Sequence, residues 1–335
     1  MTYDIHNHFL PEPFVELLLE WETPVGLESD GEQLFAVHQR SGTSGVAGGN
    51  RIPLSDGFTD METRIEWMDD HGIEKTAVSV STPNPLDESF TDEQSTQLIR
   101  AINDGYADVQ SQYPDRFVGL GMLPLREPNE ALSELDRIAT ELDLRGIALP
   151  TSINGTKLSI PELEPVFDRL DKLGLTAFIH PHGNRLSDTL NEDESFLNPL
   201  VIFPTETTFQ ITRLIYDGFF DDHEFDVVLS HMGGTLHHLV GRLERARDTT
   251  QEANTAPQQP IEEYVKRFYY DAISFHRPAM EAAIETVGPE QFVFGTDYPF
   301  HESDIHSTRA DLEHVFTEDE QEMVLSTTAE RLFDF

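Results

Sequence analysis

YDIHNHFLP, residues 3–11, carries two histidines one residue apart directly behind the first apolar residues of the chain. Side chains alternate faces along a strand, so His6 and His8 share one face here and Asn7 takes the other. Comparable β-rich runs recur at 76–82 (TAVSVST), 117–124 (FVGLGMLP), 146–151 (GIALPT), 176–182 (TAFIHPH), 225–234 (FDVVLSHMGG), 268–274 (FYYDAIS) and 292–300 (FVFGTDYPF). Helical patterns separate them at 91–112, 129–143, 162–173, 205–220, 235–247 and 279–287, with one or two more over 307–330. METRIEWMDDHGIE, ahead of the second run, carries a further helical stripe. Eight strands alternating with helices predict an α/β fold, a (β/α)8 TIM-type barrel occupying residues 1–335 as a single domain. An open doubly wound sheet usually places a glycine-rich phosphate loop after its first strand, and HNHFLPEPF is not one.

The 335 residues include 22 basic and 62 acidic ones, a formal net charge of −40. That balance argues against nucleic acid or an anionic membrane surface as a partner, since both need clustered Lys and Arg. The acids are scattered among periodic apolar segments, which points to a solvated acidic coat on a folded domain. Such a coat suits a salt-rich cytoplasm, where self-repulsion is screened. The absence of cysteine excludes disulfides, thiolate metal ligands and cysteine nucleophiles. No apolar run of about 18 residues is present, and MTYDIHNHFL lacks the pattern of a signal peptide. The expectation is a cytoplasmic protein. Residues 23–57, long, polar and glycine-rich, read as a lid inserted after the first strand or as an inert surface insertion. Residues 248–260 read as a solvated linker loop.

Barrels place their chemistry at the C-terminal ends of strands. His6 and His8 end the first run, His180 ends TAFI, His231 ends FDVVLS, and Asp297 follows FVFGT. Taken singly, each histidine is more often a hydrogen-bonded structural residue, and the aspartate of GTDYP a turn former. Together they converge on one barrel mouth, where buried charge needs compensation that a divalent cation supplies. A donor set of imidazoles and one carboxylate suits zinc first, with manganese, iron or cobalt compatible. His6, His8, His180 and Asp297 are the expected ligands, with solvent completing the shell. Such a cation lowers the pKa of bound water toward about 7. His231 is then placed to exchange a proton with that water or with substrate, or to serve as a fifth ligand.

DIHNHFLP (4–11), RIEWMDDHGIEKTAVSVSTP (64–83), IHPHG (179–183), LSHMGG (229–234) and FGTDYPF (294–300) occur in an order that resembles the amidohydrolase superfamily, in its amidohydrolase 2 branch. This branch holds metal-dependent decarboxylases and hydrolases similar to 2-amino-3-carboxymuconate-6-semialdehyde decarboxylase. The resemblance implies a mononuclear site, since GIALPT offers no lysine to bridge a second metal. It implies the same ligands, with His231 in the acid/base position, and decarboxylation of a small unsaturated or aromatic carboxylic acid. Arg51 and Arg242 are candidates to bind the substrate carboxylate, Arg242 by the same resemblance reaching the site of a neighbouring subunit in a homodimer or higher homo-oligomer. His182, where the resembled decarboxylase carries a bulkier aromatic residue, is a third candidate substrate contact. A hydrolase acting on a lactone, amide or ester needs the same metal, water and proton carrier, and a non-catalytic metal-binding protein is the reading from another class.

Overall fold

Eight parallel strands, in chain order around a ring, place every expected metal ligand at one end. The computed structural model describes residues 1–38, 50–182, 197–250, 257–300 and 304–335. The barrel strands are β1 (Tyr3–His8), β5 (Lys75–Ser79), β6 (Phe117–Gly121), β7 (Gly146–Pro150), β8 (Thr176–His180), β9 (Val227–Leu229), β10 (Tyr269–Asp271) and β11 (Phe292–Val293), hydrogen-bonded in that order. The ring closes beyond β11: Ile5 donates to the Phe294 carbonyl at 3.0 Å, Asp297 to that of His6 at 2.8 Å, and His8 to that of Tyr298 at 2.8 Å. The chain is therefore a (β/α)8 barrel. Parallel strands covered on both faces read as continuous apolar runs, and FVGLG, GIALP and TAFIH are buried at every residue.

Helices fill the return connections, among them Asp92–Gln112, Pro128–Arg137, Glu164–Leu173, Phe203–Tyr216, Leu236–Thr249 and Arg277–Val287. The first of these begins with a capping box between Thr91 and Gln94 and buries Leu98, Ile99, Ile102 and Tyr106 at helical spacing. A short helix the periodicity does not announce, Glu12–Glu20, follows β1 directly; Pro11 and Pro13 fix its start, and Phe14 and Leu18 bury one side of it.

The insertion after β1 differs from the polar loop expected over 23–57. It holds an antiparallel sheet of β2 (Val25–Ser29), β3 (Leu34–His38) and β4 (Asn50–Leu54). Val25, Leu27, Ala36, Val37 and Leu54 are buried there. These strands are five residues each, and the glycines of 41–49 dilute their pattern in any longer window. Residues 39–49 of the expected lid lie outside the described residues, as do 251–256 of the expected linker, whose first residues belong instead to the helix ending at Thr249. Among the described residues no helix is long and apolar enough to cross a membrane.

Candidate metal centre

His6, His180, His231 and Asp297 each bring one donor atom into a group whose members all lie within 4.8 Å of one another. His8 joins them through His6, the two Nε2 atoms standing 3.2 Å apart. Oδ1 of Asp297 lies 3.0 Å from Nε2 of His8 and 3.3 Å from Nε2 of His6. The five residues come from β1, the end of β8, the turn after β9 and the extension of β11, as strand-end placement requires. Gly295 allows the extension to lie against β1: a Cβ there would stand 2.8 Å from that of His6. His6, His8 and His180 are buried, and Phe178 and Phe300 pack edge-on against the rings of His6 and His8 at 5.0 and 5.4 Å.

Ring nitrogens and a carboxylate oxygen converging at 3.0–3.3 Å need positive charge between them. Burial disfavours an imidazolium at His6, yet the negative charge of Asp297 and the hydrogen bond to Asp271 overcome it and lift its pKa to about 10. His8 and His180 are held down by burial and by the neighbouring histidines. Burial works against the charge of Asp297 too, but His6 and its hydrogen-bond partners hold its carboxyl well below the usual range. The cluster thus draws one centre of positive charge. Donors bound to one ion at about 2.1 Å are themselves roughly 3.0–3.4 Å apart, so the residues fit a single divalent metal.

Asp271, at the end of β10, is buried, and its carboxylate accepts four hydrogen bonds at the site. Its Oδ2 accepts from Nδ1 of His6 at 2.6 Å and from the His231 amide at 2.8 Å. Its Oδ1 accepts from the amides of Met232 at 2.7 Å and Ile273 at 3.2 Å. These bonds hold an unusual turn, because His231, Met232, Gly233 and Gly234 have φ of 52°, 55°, 66° and 65° in succession. A left-handed backbone costs a residue with a side chain roughly 1–2 kcal/mol. Asp297 shares this geometry, with φ 61°. Gly234 is required where it stands, since a Cβ there would lie 2.1 Å from the Pro204 carbonyl oxygen. The signal for Asp271 is present in FYYDAIS: a carboxylate ending an apolar run, as at the expected ligands.

Behind β1 lies a buried polar layer that the sequence pattern does not announce. Asp4 accepts from the Thr296 amide and hydroxyl at 3.1 and 2.6 Å and from Asn7 Nδ2 at 2.7 Å, and burial pushes its carboxyl up to about 6. Arg64 is 1% exposed and donates to Asn7 Oδ1 and to the carbonyls of His8 and Gly57. The backbone bearing the two histidines is thereby fixed from behind. Glu206 is buried where Phe203–Tyr216 meets the end of β7, accepting from the Thr151 hydroxyl at 2.6 Å, and burial pushes it up to about 7.

The three expected substrate contacts are placed differently. His182 donates from Nδ1 to the Ser81 carbonyl at 2.9 Å. Ser81 follows β5 and His182 follows β8, so this bond joins the ends of two strands that are not neighbours in the ring, with the His182 ring 5.5 Å from that of His180. Its Nε2 is buried without a partner among the described residues, and burial pushes its pKa down to about 4. Arg51 lies on β4, paired with Glu28 at 3.2 Å and stacked on Phe35 at 3.9 Å. Arg242 is exposed on Leu236–Thr249.

A buried set of imidazoles and one carboxylate at the C-terminal mouth of a (β/α)8 barrel defines a metal-dependent barrel protein. The chain belongs to the amidohydrolase family Amidohydro_2, whose model matches residues 3–335. It is 33% identical over 211 residues to 2-amino-3-carboxymuconate-6-semialdehyde decarboxylase of Dictyostelium discoideum, covering 62% of this chain and 58% of that protein. It is 27% identical over 260 residues to γ-resorcylate decarboxylase of a Rhizobium species, covering 72% and 78%. Among solved structures, a point mutant of 5-carboxyvanillate decarboxylase from Novosphingobium aromaticivorans, with bound manganese and 3-methoxy-4-hydroxy-5-nitrobenzoic acid, matches with a TM-score of 0.74 at 25% identity, covering 84% and 83%. The apo IDCase of Metarhizium anisopliae shares the fold over 100% and 97% of the two chains, with a TM-score of 0.87 at 24% identity.

Proposed function

We infer that this chain is a metal-dependent decarboxylase, a carbon–carbon lyase acting on a small aromatic or unsaturated carboxylic acid. The observation that carries the reading is the complete donor group with His231 kept at its edge, Nε2 lying 3.7 Å from Asp297 Oδ2. The decarboxylases among its relatives support it, and their aromatic substrates suggest the class. His6, His8, His180 and Asp297 would hold one divalent cation, either zinc or the manganese found in related structures. When bound, the cation supplies a Lewis acid for the electron density left on the substrate as CO2 departs. His231 delivers a proton to the carbon that bore the carboxylate, so one C–C bond breaks and one C–H bond forms. Phe178 packs beneath the cluster on β8, and Phe300 and His182 lie beside the rings of His8 and His180.

An anionic substrate approaching a protein of charge −40 needs local positive charge. Arg242 supplies it to the mouth of a second copy in a homodimer. Leu200, Val201 and Phe209 are 57%, 53% and 60% exposed just ahead of and along Phe203–Tyr216, which bonds the Arg242 helix through Tyr216, an apolar surface suited to such a partner. Arg51 would reach substrate only after leaving Glu28 and Phe35. The acidic coat suits a salt-rich cytoplasm.

The test is CO2 release by protein stripped of metal and reloaded with Mn²⁺ or Zn²⁺. The panel comprises γ-resorcylate, 6-methylsalicylate, 5-carboxyvanillate, the carboxymuconate semialdehyde and a set of lactones and esters. Metal-dependent CO2 release from an acid is expected. Hydrolysis without CO2 release would replace the reading by hydrolase, and tight metal binding with no turnover of any compound by a non-catalytic site.

A further inference from the structure

We propose that Asp271 is the positioning residue of this site: one carboxylate fixes which nitrogen His6 turns to the cluster and holds the turn that aims His231. The proposal rests on the metal reading above for its consequence, while the contacts themselves do not depend on it. Two backbone amides at Oδ1 and one at Oδ2 can only donate, so Asp271 is an acceptor throughout. Nδ1 of His6, 2.6 Å from Oδ2, must then carry a proton, which leaves Nε2 as the atom facing Asp297 and His8. The same Oδ2 holds the His231 amide at 2.8 Å, and Oδ1 that of Met232 at 2.7 Å. Both residues have left-handed backbones that an unsupported chain leaves readily. A ligand on β1 and a proton carrier after β9 are thus set against each other by a single side chain on β10.

Asparagine at 271 has the same shape but one acceptor oxygen. Its NH2 must oppose either the Met232 and Ile273 amides, which cannot give up their protons, or the His6 Nδ1–H and the His231 amide. In the second arrangement His6 moves its proton to Nε2, the atom needed for a metal. The experiment compares wild type with Asp271→Asn. Mn²⁺ affinity is read by calorimetry, and protonation of His6 by ¹⁵N spectra of the metal-free and Zn²⁺-loaded forms. Wild type is expected to carry a proton on Nδ1 of His6 in both forms. The variant, with a circular-dichroism spectrum like that of wild type, is expected to bind Mn²⁺ about 10- to 100-fold more weakly. An unprotonated Nδ1 in wild type overturns the proposal, as does a folded variant with wild-type Mn²⁺ affinity. If the variant does not fold, the wild-type spectra decide alone. If wild type itself binds no metal, the metal reading fails, and the spectra still judge Asp271.

Discussion

Asp297 meets His6 twice: its amide donates to the His6 carbonyl at 2.8 Å, and its carboxylate returns to within 3.3 Å of the His6 Nε2. The backbone contact joins the last strand to the first, and the side-chain contact completes the cluster. Asp297→Asn separates the two, because asparagine tolerates the φ of 61° and keeps the amide while losing the charge. The expected outcome is a barrel that melts close to wild type but retains little metal after dialysis, measured by elemental analysis. Full metal content in the variant would remove Asp297 from the ligand set.

His231→Asn likewise suits a left-handed backbone and keeps the amide that Asp271 accepts. Turnover should fall by roughly 10²–10⁴, the range for loss of a positioned acid or base, with metal content unchanged. Parallel loss of metal and turnover would make His231 a ligand.

Glu206 gives a pH signature of its own. Its carboxyl titrates near 7 in the fold against the ordinary 4.5, because burial opposes its charge. Below the ordinary value both folded and unfolded chains are protonated. Between the two values the folded chain holds a proton that the unfolded chain has lost, so stability declines as pH rises through this window and levels off above it. Glu206→Gln should match wild type near pH 4 and exceed it at pH 8 by roughly 3 kcal/mol in chemical unfolding, and equal stability at both pH values would contradict a carboxyl whose charge burial opposes more than Thr151 supports it.

Arg242, exposed within one chain, is tested by mixing subunits. Arg242→Ala and Asp297→Asn are each expected to be inactive. A mixed dimer then regains one working site if the arginine of one subunit serves the metal of the other. No regain of activity in a mixture shown to exchange subunits would place Arg242 outside the shared site.

The surplus of acids over bases, 62 against 22, sets a salt dependence. Self-repulsion acts over about 30 Å at 0.01 M salt and about 3 Å at 1 M. The melting temperature should therefore rise steadily from dilute buffer to molar KCl, and a flat profile would show that the acidic coat does not govern stability.

The barrel and its mouth were legible because both rest on short-range signals. All eight runs form strands, since each is apolar enough to be buried in a parallel sheet, and the polar residues ending the first, fifth, sixth, seventh and eighth runs fall at the mouth whatever the intervening helices do. Other features depend on what lies across space. TAFIH ends in an expected ligand and YYD in Asp271, yet nothing in YYD says that its carboxylate will meet His6 and two amides from another turn. Arg64 sits in a helix stripe like any surface arginine, and only the closed barrel buries it against β1. The β2–β4 sheet is not legible in the sequence because strands of five residues, interrupted by a glycine-rich stretch, lack the length over which alternation becomes distinct.

Closure between β1 and the extension of β11 has a consequence for the nascent protein. His6 and His8 leave the ribosome nearly three hundred residues before Asp297. Until the segment bearing Asp297 docks, the Nε2 atoms of the two histidines lack the carboxylate that faces them, and any chain cut short before it lacks that donor as well as the contacts that close the barrel. Docking of that segment is thus a maturation step that denies truncated products both a closed barrel and a full donor group.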